Sequence, residues 1–141
     1  MSRRSARRAL AWYLEIGTEE YEEIAILTLA GRVGVDAAPR LEAAIAAATR
    51  QDHPRVVLDL ASLDYLSSAG LAVLERAAGD CAERHGTLVL ACATEPVRFV
   101  LELAGLVARV TLAPTREDAV SAVAAHSSHR HWSQAEDGRS M

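Results

Sequence analysis

The chain has 141 residues, half of them hydrophobic and about a quarter charged, which suits one folded domain and excludes a disordered chain. Net charge is −4 and aromatics are only 4%, which argues against a nucleic-acid binder built on a basic groove and stacking platforms. No apolar run approaches the ~18 residues of a membrane span. The two cysteines, Cys81 and Cys92, make no disulfide framework, so the expectation is a cytoplasmic protein.

Residues 1–9 hold Arg3, Arg4, Arg7 and Arg8 without periodicity and read as a flexible basic leader. Leu10 to Ile16 suits a first strand, and Thr18 to Glu23 an acidic turn. Ile24 to Ala30, bounded by Gly31 and Gly34, has the β-rich apolar character of a central strand. Asp36 is placed to cap a helix with Pro39 in its first turn. Leu41, Ala44, Ile45 and Ala48 then share one face. Arg55 to Leu60 predicts the next strand. A helix starts near Ser67 or Ser68, buries Leu71, Leu74, Ala78 and Cys81, and stops at Gly86.

Thr87 to Ala93 predicts another buried strand. Thr94 caps a helix whose Val100, Leu103, Ala104 and Val107 fall on one side, with Gly105 as a left-handed stop. Arg109 to Leu112 predicts a short last strand. Thr115 and Asp118 have capping-box spacing before Ala119, Val120, Val123 and Ala124. Residues 126–141 read as a disordered tail. The expectation is therefore an α/β domain over 10–125, its strands alternating with helices around a largely parallel or mixed sheet.

Several chemistries lack a signature. Neither cysteine belongs to a C-x-x-C pair, and His126, His129 and His131 lie in the tail, so no metal site is expected. His53 and His85 sit at helix ends, where capping is the expected role. There is no G-x-G-x-x-G, Walker loop or G-x-S-x-G elbow, so no nucleotide cofactor is expected. A hydrolase using a serine nucleophile is not favoured by any spacing.

Residues 59–74 read D-L-A-S-L-D-Y-L-S-S-A-G-L-A-V-L. Taken alone, they suit a strand leading into a helix whose N-cap is Ser67 or Ser68, with small residues permitting close packing. The stretch also resembles, without a gap, the STAS-domain anti-sigma factor antagonists, whose pattern is roughly D-L-S-x-[VL]-x-[FY]-[ML]-D-S-[ST]-G-L-x-x-L. Asp59-Leu60 match the strand end, Tyr65-Leu66 the hydrophobic pair and Gly70-Leu71 the helix opening. Ser67 stands where the family has Asp, and Ala69 where it has Ser or Thr. Gly31-Arg32-Val33 and Ala37 to Leu41 resemble the lead into the family's first helix, with Gly34 at the usual Asp position and Asp36 two residues later. Thr115 to Val123 resembles its last helix.

The resemblance implies a STAS fold, a small mixed sheet of four to five strands with about four helices packed mainly on one side. It implies a non-enzymatic switch that binds an anti-sigma factor of the histidine-kinase-like ATPase class and thereby releases a sigma factor. That kinase would phosphorylate Ser68, with Ser67 as the alternative acceptor, and a PP2C-type phosphatase would reset it. The implied partner surface holds Gly31, Gly34, Asp36, Asp64, Tyr65, Ser67, Ser68, Ala69, Gly70 and Glu75. No cofactor and no direct nucleic-acid contact are implied, and the oligomeric state stays open, a homodimer included. The other readings are a STAS accessory or scaffold module, as in a lipid-transport subunit or a stressosome, and an α/β interaction domain without phosphorylation.

Overall fold

The computed structural model describes residues 13–125. The expected leader at 1–9, the first residues of the expected first strand and the expected tail at 126–141 lie outside that range. Five strands form one mixed sheet in the order β1-β2-β3-β4-β5. They are β1 (Leu14–Tyr21), β2 (Ile24–Val33), β3 (Arg55–Leu66), β4 (Thr87–Ala91) and β5 (Thr111–Ala113). β1 runs antiparallel to β2, and the other neighbours are parallel. The helices are α1 (Ala38–Ala48), α2 (Ser68–Glu83), α3 (Glu95–Leu103) and α4 (116–125), with a 3-10 turn at Leu106–Ala108.

β1 and β2 form a hairpin that the residue pattern hides. Its turn is Glu22-Glu23, both at positive φ (49° and 69°), where a hairpin of this shape ordinarily uses Asn or Gly. The acidic stretch expected to be a turn is thus strand as far as Tyr21. β1 is a sheet edge with mostly exposed residues, so Leu14 and Ile16 carry its whole inward face. β2 does not end at Gly31 but passes through it to Val33; Gly31, at φ 105°, absorbs an irregularity in the pairing with β3.

β3 extends to Leu66, six residues past the expected end at Leu60. The reason is two bulges. Thr28 pairs with Asp59 but Ala30 with Ser62, and Gly31 pairs with Leu63 but Arg32 with Tyr65, one extra β3 residue at each step. The core residues are therefore Leu58, Leu60, Leu63 and Leu66 rather than alternate positions.

α1, α2 and α3 cover one face of the sheet over a core of Leu27, Leu29, Leu58, Leu60, Leu90 and Leu101. On α1, Leu41 and Ile45 are buried as expected, but the cap position is Ala37, without a side-chain cap, and Asp36 is exposed. α2 ends in a Schellman turn with His85, at φ 60°, as the left-handed residue, not Gly86. Gly86 instead lies against the Pro54 carbonyl, where a Cβ has no room. β4 stops at Ala91, because Cys92 turns to φ 60°.

α3 departs most from expectation. Val97 and Leu101 are its buried residues, while Leu103 is 76% and Val107 39% exposed. Gly105 does adopt the left-handed stop, at φ 76°. α4 lies on the opposite face, where Ala119 and Val123 pack on Ile24, Ile26, Val57 and Val89. Its start is capped by the Thr115 hydroxyl, which accepts the Asp118 amide at 3.0 Å.

Candidate functional site

The site is built where β2 and β3 end side by side. Val33 pairs with Leu66, and the Ser67 amide donates to the Val33 carbonyl at 2.9 Å. That bond joins the residue 59–74 motif to the Gly34–Asp36 turn, in which the Gly34 carbonyl accepts the amides of Ala37 and Ala38 at 3.2 Å each. The two segments that the sequence singles out therefore share one end of the sheet.

The two serines have different environments. Ser67 has extended backbone (φ −78°, ψ 170°), is 7% exposed, and its Oγ accepts the Gly70 amide at 3.1 Å. It is the N-cap of α2. Ser68 is the first helical residue and is exposed. Among the described residues its hydroxyl makes no hydrogen bond. The described histidines, His53 and His85, precede β3 and β4, whereas Ser68 follows β3 at its far end. A strand of 12 residues spans ~40 Å, so neither imidazole reaches Ser68 as a general base.

Gly70 explains its own identity. A Cβ there would lie 2.6 Å from Val33 Cγ1 and 2.7 Å from Leu66 Cδ1, so the helix enters against the two strand ends only with glycine. Gly70 is thus buried packing and presents no contact surface, as does Ser67, whereas Asp36, Asp64 and Tyr65 are exposed and Gly31, Gly34, Ala69 and Glu75 half-buried. Ser68, Ala72 and Glu75 follow one another along a single face of α2.

Electrostatically, Ser68 sits on the amide end of a 16-residue helix whose first turn has no acidic residue. Free N–H groups and the helix dipole there favour an anion. Tyr65 lies on the other side of the strand end with its ring under the Arg32 guanidinium, 4.4 Å from the centroid. Tyr65 is 42% exposed and Val35, in the neighbouring turn, 72%. Arg32 and Val35 lie inside the Gly31–Asp36 segment whose Gly31, Gly34 and Asp36 the sequence singles out, although neither residue carries a pattern of its own.

No three His, Cys, Asp or Glu side chains among the described residues gather to hold a metal ion. Burial pushes the Cys81 thiol up to about 11, with Asp80 adding to it, and burial followed by the Asp59 charge raises Cys92. Neither is an activated thiol. No described helix is long and apolar enough to cross a membrane.

The family model of the STAS domain matches residues 15–119. BtrV of Bordetella bronchiseptica, named for anti-sigma factor antagonism, is 38% identical over 110 residues, 77% of this chain and 94% of BtrV. The crystal structure of an anti-sigma factor antagonist from Mycobacterium paratuberculosis superposes with a TM-score of 0.71 at 29% identity, over 79% of this chain and 94% of that one. The Bacillus cell fate determinant SpoIIAA, in its phosphorylated form, shares the fold with a TM-score of 0.62 at 20% identity, over 77% of this chain and 99% of that one.

Proposed function

The chain belongs to the STAS-domain family, and from that premise we propose that it is an anti-sigma factor antagonist switched by phosphorylation of Ser68. The carrying observation is the division of labour between the two serines. Ser67 is consumed as the buried helix cap, and Ser68 offers a free, exposed hydroxyl one residue later. A kinase can reach Ser68 without unfolding the helix, and Ser67 only by breaking its cap.

In the unphosphorylated state the protein binds an anti-sigma factor with a histidine-kinase-like ATPase fold and so frees a sigma factor. The contact surface is Ser68 with the α2 face of Ala72 and Glu75, the exposed Asp64 and Tyr65, and the turn of Val35 and Asp36. The kinase transfers the γ-phosphoryl of ATP to Ser68 Oγ, whose proton is lost, and ADP leaves. Phosphate at this helix start is tolerated by the fold, because the amide dipoles face it. The same ~−2 charge is costly once a partner excludes water from it. Modification thus ends the complex and spares the domain, and a PP2C-type phosphatase hydrolyses the ester to restore it. No step of the cycle uses chemistry performed by this chain.

The test is binding of the purified protein to its cognate anti-sigma factor before and after kinase treatment. Binding that falls about tenfold or more on phosphorylation supports the reading. Equal binding by both forms contradicts it, and recovery of a transporter ATPase in place of an anti-sigma factor assigns the domain to an accessory role. Asp36→Lys or Glu75→Lys should weaken binding with circular dichroism unchanged; if neither does, the interface lies elsewhere.

A further inference from the structure

Asp59 is the one buried charged residue among the described residues, 8% exposed in the middle of a strand. A carboxylate in such a place needs partners, and its two oxygens have different ones. Oδ2 accepts Arg116 Nε at 3.0 Å. Oδ1 accepts the backbone amide of Ala61 at 3.0 Å. The same guanidinium donates from its remaining nitrogens to Thr28 Oγ1 at 2.8 Å and to Glu19 Oε1 at 3.2 Å. Burial works against the charge on Arg116, but the hydrogen bonds to Asp59 and Glu19 outweigh it and its pKa shifts upward. One side chain at the start of α4 thus grips β1, β2 and β3 together.

The amide held by Oδ1 is not an ordinary one. Ala61 lies in the first bulge of β3, between the Asp59 and Ser62 pairings, where a bulge leaves a backbone group without a ladder partner. Everything beyond it depends on that count. Leu63 and Leu66 reach the core, and Ser67 reaches the Val33 carbonyl, only in this register. A slip of one residue turns the following side chains to the opposite face. Without Arg116, the Asp59 carboxylate is left buried without its cation. It must then turn toward water, and that change weakens its hold on Ala61.

We propose that Asp59 and Arg116 form a positioning pair that fixes the register of the strand delivering Ser67 and Ser68, so that docking of α4 on one face of the sheet is coupled to presentation of the switch serine at its end. Its functional meaning rests on Ser68 being the acceptor, but its structural half does not. Amide hydrogen exchange on Arg116→Gln, Asp59→Asn, the double variant and Arg116→Lys tests it. In Arg116→Gln the amides of Ala61, Ser67 and Gly70 should exchange roughly tenfold faster or more, with Val89 and Leu90 in β4 within about twofold of the unmodified protein. The double variant should be no worse than the worse single one, because both break the same pair. Arg116→Lys, still a cation in reach of Asp59, should recover part of the protection. The rate of Ser68 labelling by a cognate kinase should fall and recover in the same order.

Unchanged exchange at the three amides overturns the proposal. So does acceleration that is equal across β4, which is general destabilisation, or an additive double variant. Should Arg116→Gln not fold, Asp59→Asn, isosteric and neutral, carries the same comparison. If exchange behaves as stated but a cognate kinase places no phosphate on Ser68 of the unmodified protein, the phosphorylation reading fails and the positioning pair stands.

Discussion

Ser67→Ala and Ser68→Ala separate the two serines at the residue scale. Ser67→Ala removes the bond to the Gly70 amide and should cost ~1 kcal/mol, read as a shifted denaturation midpoint. Ser68→Ala touches no hydrogen bond among the described residues, so its midpoint should stay within ~0.5 kcal/mol of the unmodified protein while kinase labelling disappears. A midpoint that moves for Ser68→Ala and not for Ser67→Ala would reverse the assignment. The resemblance points to Ser68 as acceptor, but capping propensity alone could not say which serine is the cap, because two adjacent serines satisfy the same preference and burial tells them apart. Gly86→Ala drives a methyl into the Pro54 backbone and should destabilise by ~1–3 kcal/mol. The Cys81 thiol, buried with a pKa near 11, should resist alkylation at neutral pH until the protein unfolds; labelling of the native protein at Cys81 would contradict its burial.

At the scale of elements, what was legible followed the regular periods. The α1 stripe, the apolar runs of β2 to β4 and the Thr115 cap all appear where propensity and pattern place them. The strand misses share one cause, an irregular backbone that breaks the period. β3 places Leu60, Leu63 and Leu66 in the core at three-residue spacing, which neither a strand nor a helix template matches. The β1 hairpin turns on two glutamates, and its edge position leaves few inward residues to betray it. In α3 the apolar residues outnumber the buried ones: of the face that the pattern predicts, Val100 packs against the core while Leu103, Ala104 and Val107 are exposed, and Val97 and Leu101 carry the buried side. Leu101→Ala should cost ~2–5 kcal/mol and Leu103→Ala within ~0.5 kcal/mol. Equal losses for the two in thermal or denaturant unfolding would put the helix in another phase.

At the scale of the whole molecule, three helices and one helix sit on opposite faces of the same sheet, and the motif lies at the end they share. The family, the fold and the motif were legible because the signature occupies one contiguous stretch. The Asp59–Arg116 pair was not, since its partners are 57 residues apart and a lone Asp in an apolar strand says only that some partner exists. A switch of this kind must leave the domain intact in both states. Ser68→Asp should therefore keep the fold and stabilise the helix start by ~0.3–1 kcal/mol. It should nonetheless weaken binding to the anti-sigma factor, though less than phosphate does, because one carboxylate supplies only part of its charge. Undiminished binding by Ser68→Asp together with undiminished binding by the phosphorylated protein would remove the electrostatic basis of the switch. The central claim is tested most directly by phosphopeptide mass spectrometry on the protein treated with its cognate kinase and ATP. The account predicts a single phosphate on Ser68, and phosphate on Ser67, or none within residues 65–76, would contradict it.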